Sequence, residues 1–130
     1  MQQTLSLITI VVDDYDRAIA HYCGALGFEL REDADHGGGK RWVRVAPPGS
    51  TETCLLLAQA STDEQRARIG DQTGGRVGFF LQTDDFWRDH ARMTAQGVEF
   101  LETPREESYA TVAVFRDAYG NRWDLLQPKG

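Results

Sequence analysis

Two apolar runs of the same length punctuate the chain, LSLITIVV at 5–12 and RVGFFLQT at 76–83. Each is rich in β-branched and aromatic residues, and each leads into a pair of aspartates, so each predicts a strand running into an Asp-capped helix. In the first helix Ile19, Tyr22, Cys23 and Leu26 recur at i, i+3, i+4 and i+7 and predict one apolar face. In the second, Phe86, Trp87, His90, Met93 and Thr94 lie near the equivalent stripe. Gly27 and Gly97 are placed to end the two helices in a left-handed conformation. Three strands then follow in each copy, at about 28–33, 40–46 and 53–58, and again at about 98–103, 109–116 and 121–127.

The two patterns are diverged copies. Asp13-Asp14 recurs as Asp84-Asp85 and Gly49 as Gly120, both pairs 71 positions apart (13 to 84, 49 to 120). The predicted fold class is therefore α+β. It consists of two tandem βαβββ modules, about 5–60 and about 76–127, within a single domain of residues 1–130. Between them STDEQRARIGDQTGG at 61–75 reads as a linker, with Ser61 and Glu64 able to cap a short helix and Gly70, Gly74 and Gly75 marking the break. One helix covers one face of each four-stranded sheet and leaves the other open. Side by side, two such halves predict a curved mixed sheet around a central trough, with helices on the outside.

Strand residues alternate faces, so only every second side chain can reach the open side. In the first half this alternation assigns Leu7, Thr9, Val11, Trp42, Arg44, Thr53, Leu55 and Leu57 to the trough. In the second it assigns Gly78, Phe80, Gln82, Thr111, Ala113, Phe115, Arg122, Asp124 and Leu126. Val43, Val45, Val112 and Val114 are then directed at the helices. The result is an apolar and aromatic hollow with a few polar handles, the composition of a small-molecule site. Trp42, Phe80 and Phe115 could stack on a flat or cationic ligand or could fill a core. Gly78 makes room, and Arg122, two residues from Asp124, could neutralise it.

Composition narrows the partners. Twenty acidic residues against fourteen basic ones leave a net charge of −6, which argues against nucleic acid and is compatible with a cationic ligand. No apolar run approaches the roughly 18 residues of a membrane span, and the N-terminal stretch lacks the features of a signal peptide. Cys23 and Cys54 lie in apolar patterns without metal spacing, as expected of reduced thiols in the cytoplasm. His21 and His90 fall on helices and His36 in the loop DHGGGK, with solvent-facing or packing roles expected for all three. GGGK at 37–40 lacks the Ser or Thr of a phosphate-binding loop and is better suited to a flexible hairpin tip or lid.

The motif residues Asp14, Asp16, Ala18, Tyr22, Leu26, Gly27 and Phe28, followed by Phe115, Asp117, Gly120, Asn121, Trp123, Asp124 and Leu125, resemble those of the vicinal oxygen chelate superfamily. That group holds glyoxalases, extradiol dioxygenases and bleomycin-resistance proteins. Ala118 replaces the usual proline of its last turn, and RWVRVAPPG at 41–49 resembles small bacterial members. The resemblance implies a two-fold homodimer. It also implies metal ligands, His or Glu, from the first and last strand of each half, at Leu7, Thr53 or Leu55, Gly78 and Asp124. Of these only Asp124 suits a divalent ion. No metal or other cofactor is therefore expected, and the first reading is a metal-independent protein binding a small organic molecule. A metal-dependent glyoxalase-type lyase or dioxygenase is the second reading. A metal-free enzyme using Asp124 as catalytic acid or base, with Tyr109 or Arg44 nearby, is the third.

Overall fold

A computed structural model describes residues 1–130. The chain divides into two compact units, Met1–Ile69 and Gly70–Gly130, and each contains its own mixed sheet. Unit one holds β1 (Leu7–Val12), α1 (Tyr15–Ile19), β2 (Glu29–Asp35), β3 (Arg41–Ala46), β4 (Cys54–Gln59) and α2 (Asp63–Arg66). Unit two holds β5 (Val77–Gln82), α3 (Phe86–Ala95), β6 (Glu99–Phe100), β7 (Arg105–Glu106), β8 (Ala110–Arg116) and β9 (Arg122–Pro128). The architecture is α+β, with the helix of each copy following its first strand.

In unit one the strand order is β1-β4-β3-β2, with β1 and β4 parallel and the other pairs antiparallel. Asp14 caps α1 by accepting the Arg17 N–H at 2.8 Å. The helix stays α-helical only to Ile19 and continues as a π-helical segment, Ala20–Ala25, in which the Leu26 N–H donates to the His21 carbonyl at 3.1 Å. The wider turn moves the inward face. Tyr15, Ala18, Tyr22 and Leu26 are buried, whereas Ile19 and Cys23 of the expected stripe are only half-buried. These residues cover Ile10, Val12, Val43, Val45 and Leu57, all fully buried on the facing side of the sheet. Ile8, which shares their face by strand alternation, is 39% exposed.

The short helix α2 is capped one residue later than expected. Thr62 Oγ1 accepts the Gln65 N–H at 3.1 Å, and Gln65 Oε1 accepts from the Ser61 N–H at 2.7 Å, so Gln65 rather than Glu64 completes the box. Gly27 and Gly97, at φ 77° and 87°, follow the two long helical segments in the conformation that glycine permits.

Unit two repeats the plan in the order β5-β9-β8-β6, with β5 and β9 parallel and β7 also on β8. Phe79, Phe100, Phe115 and Trp123 form its core stack, with Phe79 and Phe115 lying 4.8 and 5.8 Å from the Trp123 ring. Phe86 and Met93 of α3 are fully buried, but Trp87 and Thr94 of the expected stripe are exposed. His90 packs at 4.2 Å on the Phe100 ring. The strand expected over 98–103 is broken. Glu102 turns its carboxylate onto the Val114 N–H at 3.0 Å, which side-chain bond occupies a donor that a continuous strand would have paired. The turn into β9 is held by Asp117, which is buried and accepts from the N–H groups of Tyr119, Gly120 and Asn121 and from Asn121 Nδ2 and Trp123 Nε1.

Candidate functional site

In each unit the sheet face turned away from its helix carries the residues that a ligand could meet. Register decides which these are, because directly paired residues point to the same side. In unit two Asp124 of β9 pairs with Phe80 of β5 and Val114 of β8, and Leu126 pairs with Gln82 and Val112. Phe80, Gln82, Asp124 and Leu126 thus share the open face, and the Phe80 ring is 65% exposed. Asp124 itself is half-buried, and its Oδ1 is buried without a hydrogen-bond partner. Burial pushes its carboxyl above the usual aspartate range; the charge of Arg105 pulls the other way, and that of Glu102 pushes up again. Arg105 is drawn back toward Glu102, Nε to Oε1 at 3.1 Å.

Several expectations need correction here. Arg122 is exposed and makes no ion pair with Asp124; the cation whose field reaches that carboxylate is Arg105, which with Glu102 was missed. The alternation of charge in LETPREE was the only sequence sign of them. Phe115, Ala113 and Thr111 lie on the opposite face from Asp124. Phe115 pairs with buried Trp123 and is fully buried, and Thr111 donates to Glu106 at 3.0 Å. Val112 and Val114 take the open face instead. Gly78 sits where the β5–β9 register slips by one residue, and a Cβ there would lie 2.6 Å from the Thr73 methyl, so its missing side chain accommodates Thr73. Tyr109 is exposed.

In unit one Thr9 pairs with Leu56 and Leu56 with Arg44, which places Thr9, Trp42 and Arg44 on the open face together with Leu7, Val11, Leu56 and Ala58. Leu55 and Leu57 pair with Val45 and Val43 and belong to the core side. The expected phase of β4 was one residue out. Arg44 donates from Nε to Glu32 Oε1 at 2.7 Å and from Nη1 to Cys54 Sγ at 3.5 Å. Trp42 is half-buried, with the His36 ring stacked on it at 6.2 Å and 12° between planes. A cavity of about 550 Å3 lies where β4 leaves the sheet and β3 enters it, and its lining includes Trp42, Ala58, Tyr15, Gln65 and Gly38 and Gly39 of the glycine hairpin. Only the glycine hairpin hinted at it in the amino-acid pattern.

The sequence model of the Glyoxalase/Bleomycin resistance protein/Dioxygenase superfamily matches residues 4–125. The chain belongs to this superfamily. It is 55% identical over 128 residues to an uncharacterized protein of Shewanella frigidimarina, covering 98% of this chain and 95% of that one. Among solved structures, UcmS2 is 31% identical with a TM-score of 0.83, covering 97% of this chain and 98% of UcmS2. TnmS3, described as an antibiotic binding protein from Streptomyces sp. CB03234, is 30% identical with a TM-score of 0.77, covering 99% and 98%.

The divalent metal used by some glyoxalase-superfamily proteins can be tested against the side chains here. Leu7 and Gly78 offer no donor atom, Leu55 offers none and faces the core, and the Thr53 hydroxyl donates to the Leu5 carbonyl. Asp124 alone brings a carboxylate, and no group of three or more His, Cys, Asp or Glu residues is arranged to hold an ion. These residues do not fit the metal. No helix is long and apolar enough to cross a membrane.

Proposed function

We propose that this superfamily member binds a small organic molecule on its open sheet faces without help from a metal ion. The observation that carries the reading is the environment of Asp124. Its Oδ1 is desolvated yet has no partner, beside the exposed Phe80 ring and apolar Val114 and Leu126. A desolvated acceptor of this kind is costly until a donor meets it, and a ligand hydroxyl or N–H would do so. Likeness to TnmS3 along almost the whole chain supports the same reading. The ligand-facing set is then Leu7, Thr9, Trp42, Arg44, Phe80, Gln82, Arg122 and Asp124. The two units act as parts of one domain, since the family match spans both, and the protein works as a homodimer in the cytoplasm with both cysteines reduced. Calorimetric titration against a panel of polycyclic aromatic compounds, with and without EDTA, tests the proposal. Saturable binding unaffected by chelation is expected; binding that chelation abolishes would refute it.

A second reading is favoured by one observation, the raised protonation range of Asp124. A carboxyl held partly out of water can exchange a proton with a bound substrate, which makes Asp124 an acid–base residue. Asp124→Asn would then retain ligand binding and lose turnover of any compound the panel shows to be consumed. Turnover unchanged in that variant would remove the second reading and leave the first.

A further inference from the structure

The cavity of unit one allows the ligand's chemistry to be named, on the reading that the protein binds a small organic molecule. We propose that this cavity takes an aromatic anion, a planar ring system bearing a carboxylate or similarly acidic oxygen, with Trp42 against the ring and Lys40 against the charge.

The volume, about 550 Å3, is that of a site for a drug-sized molecule. Its lining departs from the rest of the protein in sign. The chain has twenty acidic residues and fourteen basic ones, yet the lining includes Lys40 and Arg41 and no Asp or Glu. Arg41 is already committed. It binds Asp33 at 2.8 Å and Asp16 at 2.9 Å, and its guanidinium lies 5.2 Å from the centre of the Tyr15 ring. Of the acids on the flanking segments, Asp35 accepts the Gly37 N–H at 2.8 Å and Asp63 pairs with Arg66 at 2.7 Å, while Glu64 is exposed and makes no ion pair. Lys40 lines the cavity and makes no ion pair within the chain. A cation beside a partly apolar hollow attracts an anion, and charges more than about 10 Å away are largely screened by solvent. The local lining thus selects the opposite ligand charge from the one the overall composition suggested.

Trp42 supplies the aromatic surface. Polar ends are available from Gln59 and from Gln65, whose Oε1 is fixed by the Ser61 N–H and hydroxyl at 2.7 and 3.1 Å, leaving its amide N–H groups to donate. Donors outnumber acceptors at these positions, as suits an oxyanion.

Calorimetry with anthracene-2-carboxylate, the matching carboxamide and the matching aminomethyl cation tests the inference, using the full chain and Lys40→Met, Lys40→Arg and Trp42→Leu. The carboxylate is expected to bind best. Its affinity should fall about tenfold in Lys40→Met, survive in Lys40→Arg, fall about tenfold in Trp42→Leu and weaken as NaCl rises from about 0.05 to about 0.5 M. Equal or tighter binding of the amide or the cation, or a Lys40→Met variant that binds the carboxylate unchanged, would overturn the inference while leaving the binding function intact. No binding by any of the three overturns it as well, and the wider panel with and without EDTA then decides whether the binding function falls with it.

Discussion

Units one and two share one plan but spend their polar residues differently. On the open face of unit one the charge of Arg44 is met within the chain by Glu32. On the open face of unit two the Asp124 Oδ1 is met by nothing. The turns before their last strands differ as well. In unit one it is built from Pro47, Pro48 and Gly49, and a side chain added at Gly49 would meet open space. In unit two the turn is tied together by five bonds to Asp117, and its Tyr119 carbonyl occupies the space a Gly70 Cβ would need. Meanwhile the buried faces are alike in being apolar: Ile10, Val12, Val43 and Val45 in one, Phe115, Trp123 and Leu125 in the other. Close packing constrains the inner face to apolar side chains of fitting volume, while the open face is free to diverge toward a ligand.

The contrast between faces predicts the largest effects. Phe115→Ala empties a fully buried site and should cost about 3–5 kcal/mol, whereas Phe80→Ala on the open face should change stability by no more than about 0.5 kcal/mol. Urea denaturation of both variants checks this, and similar losses would mean the faces have been assigned wrongly. Next in size is the contrast between turns. Gly70→Ala combines a positive φ of 76° with a backbone clash and should cost about 3 kcal/mol or more, against about 1 kcal/mol for Gly49→Ala, where only the φ of 75° is unfavourable. Smaller again is Gly78→Ala, expected to cost about 1–3 kcal/mol through the Thr73 methyl, with part of the loss recovered in the double variant carrying Thr73→Ser. A Gly78→Ala variant of unchanged stability would restore Gly78 as a source of open space.

The smallest effect depends on pH. Because the folded state raises the carboxyl of Asp124, its ionisation opposes folding, and the associated stability is present at low pH and lost as pH rises through the aspartate range. Asp124→Asn should therefore match the parent near about pH 3 and become the more stable of the two by about pH 7. A parent that gains on the variant with rising pH would show that the carboxylate is stabilised by a partner after all.

The repeat and the Asp-capped helices were legible because the aspartate pairs recur 71 positions apart, and the faces of Val43, Val45 and Asp124 because the strands around them alternate clearly. Where alternation carried no contrast it misled. In ATVAVFR both faces of β8 are apolar, so Val114 and Phe115 could be exchanged without disturbing the pattern. The extra residues of STET concealed the phase of β4, and with it the core position of Leu55. The π-helical segment and the pairing of Glu102 with the Val114 N–H depend on hydrogen bonds that hydrophobic periodicity does not encode. The cavity was hidden for a related reason. Lys40, Trp42 and Gln65 are brought together only when β3, β4 and α2 are in register.

Native mass spectrometry of the chain, purified without added metals or chelators, tests metal-free binding of an organic guest most directly. The expected spectrum shows a population carrying an organic molecule of discrete mass, reduced in Asp124→Leu, with no divalent ion present in a one-to-one ratio. One firmly held divalent ion per chain, unaffected by removal of the Asp124 carboxylate and without an organic adduct, would contradict the account.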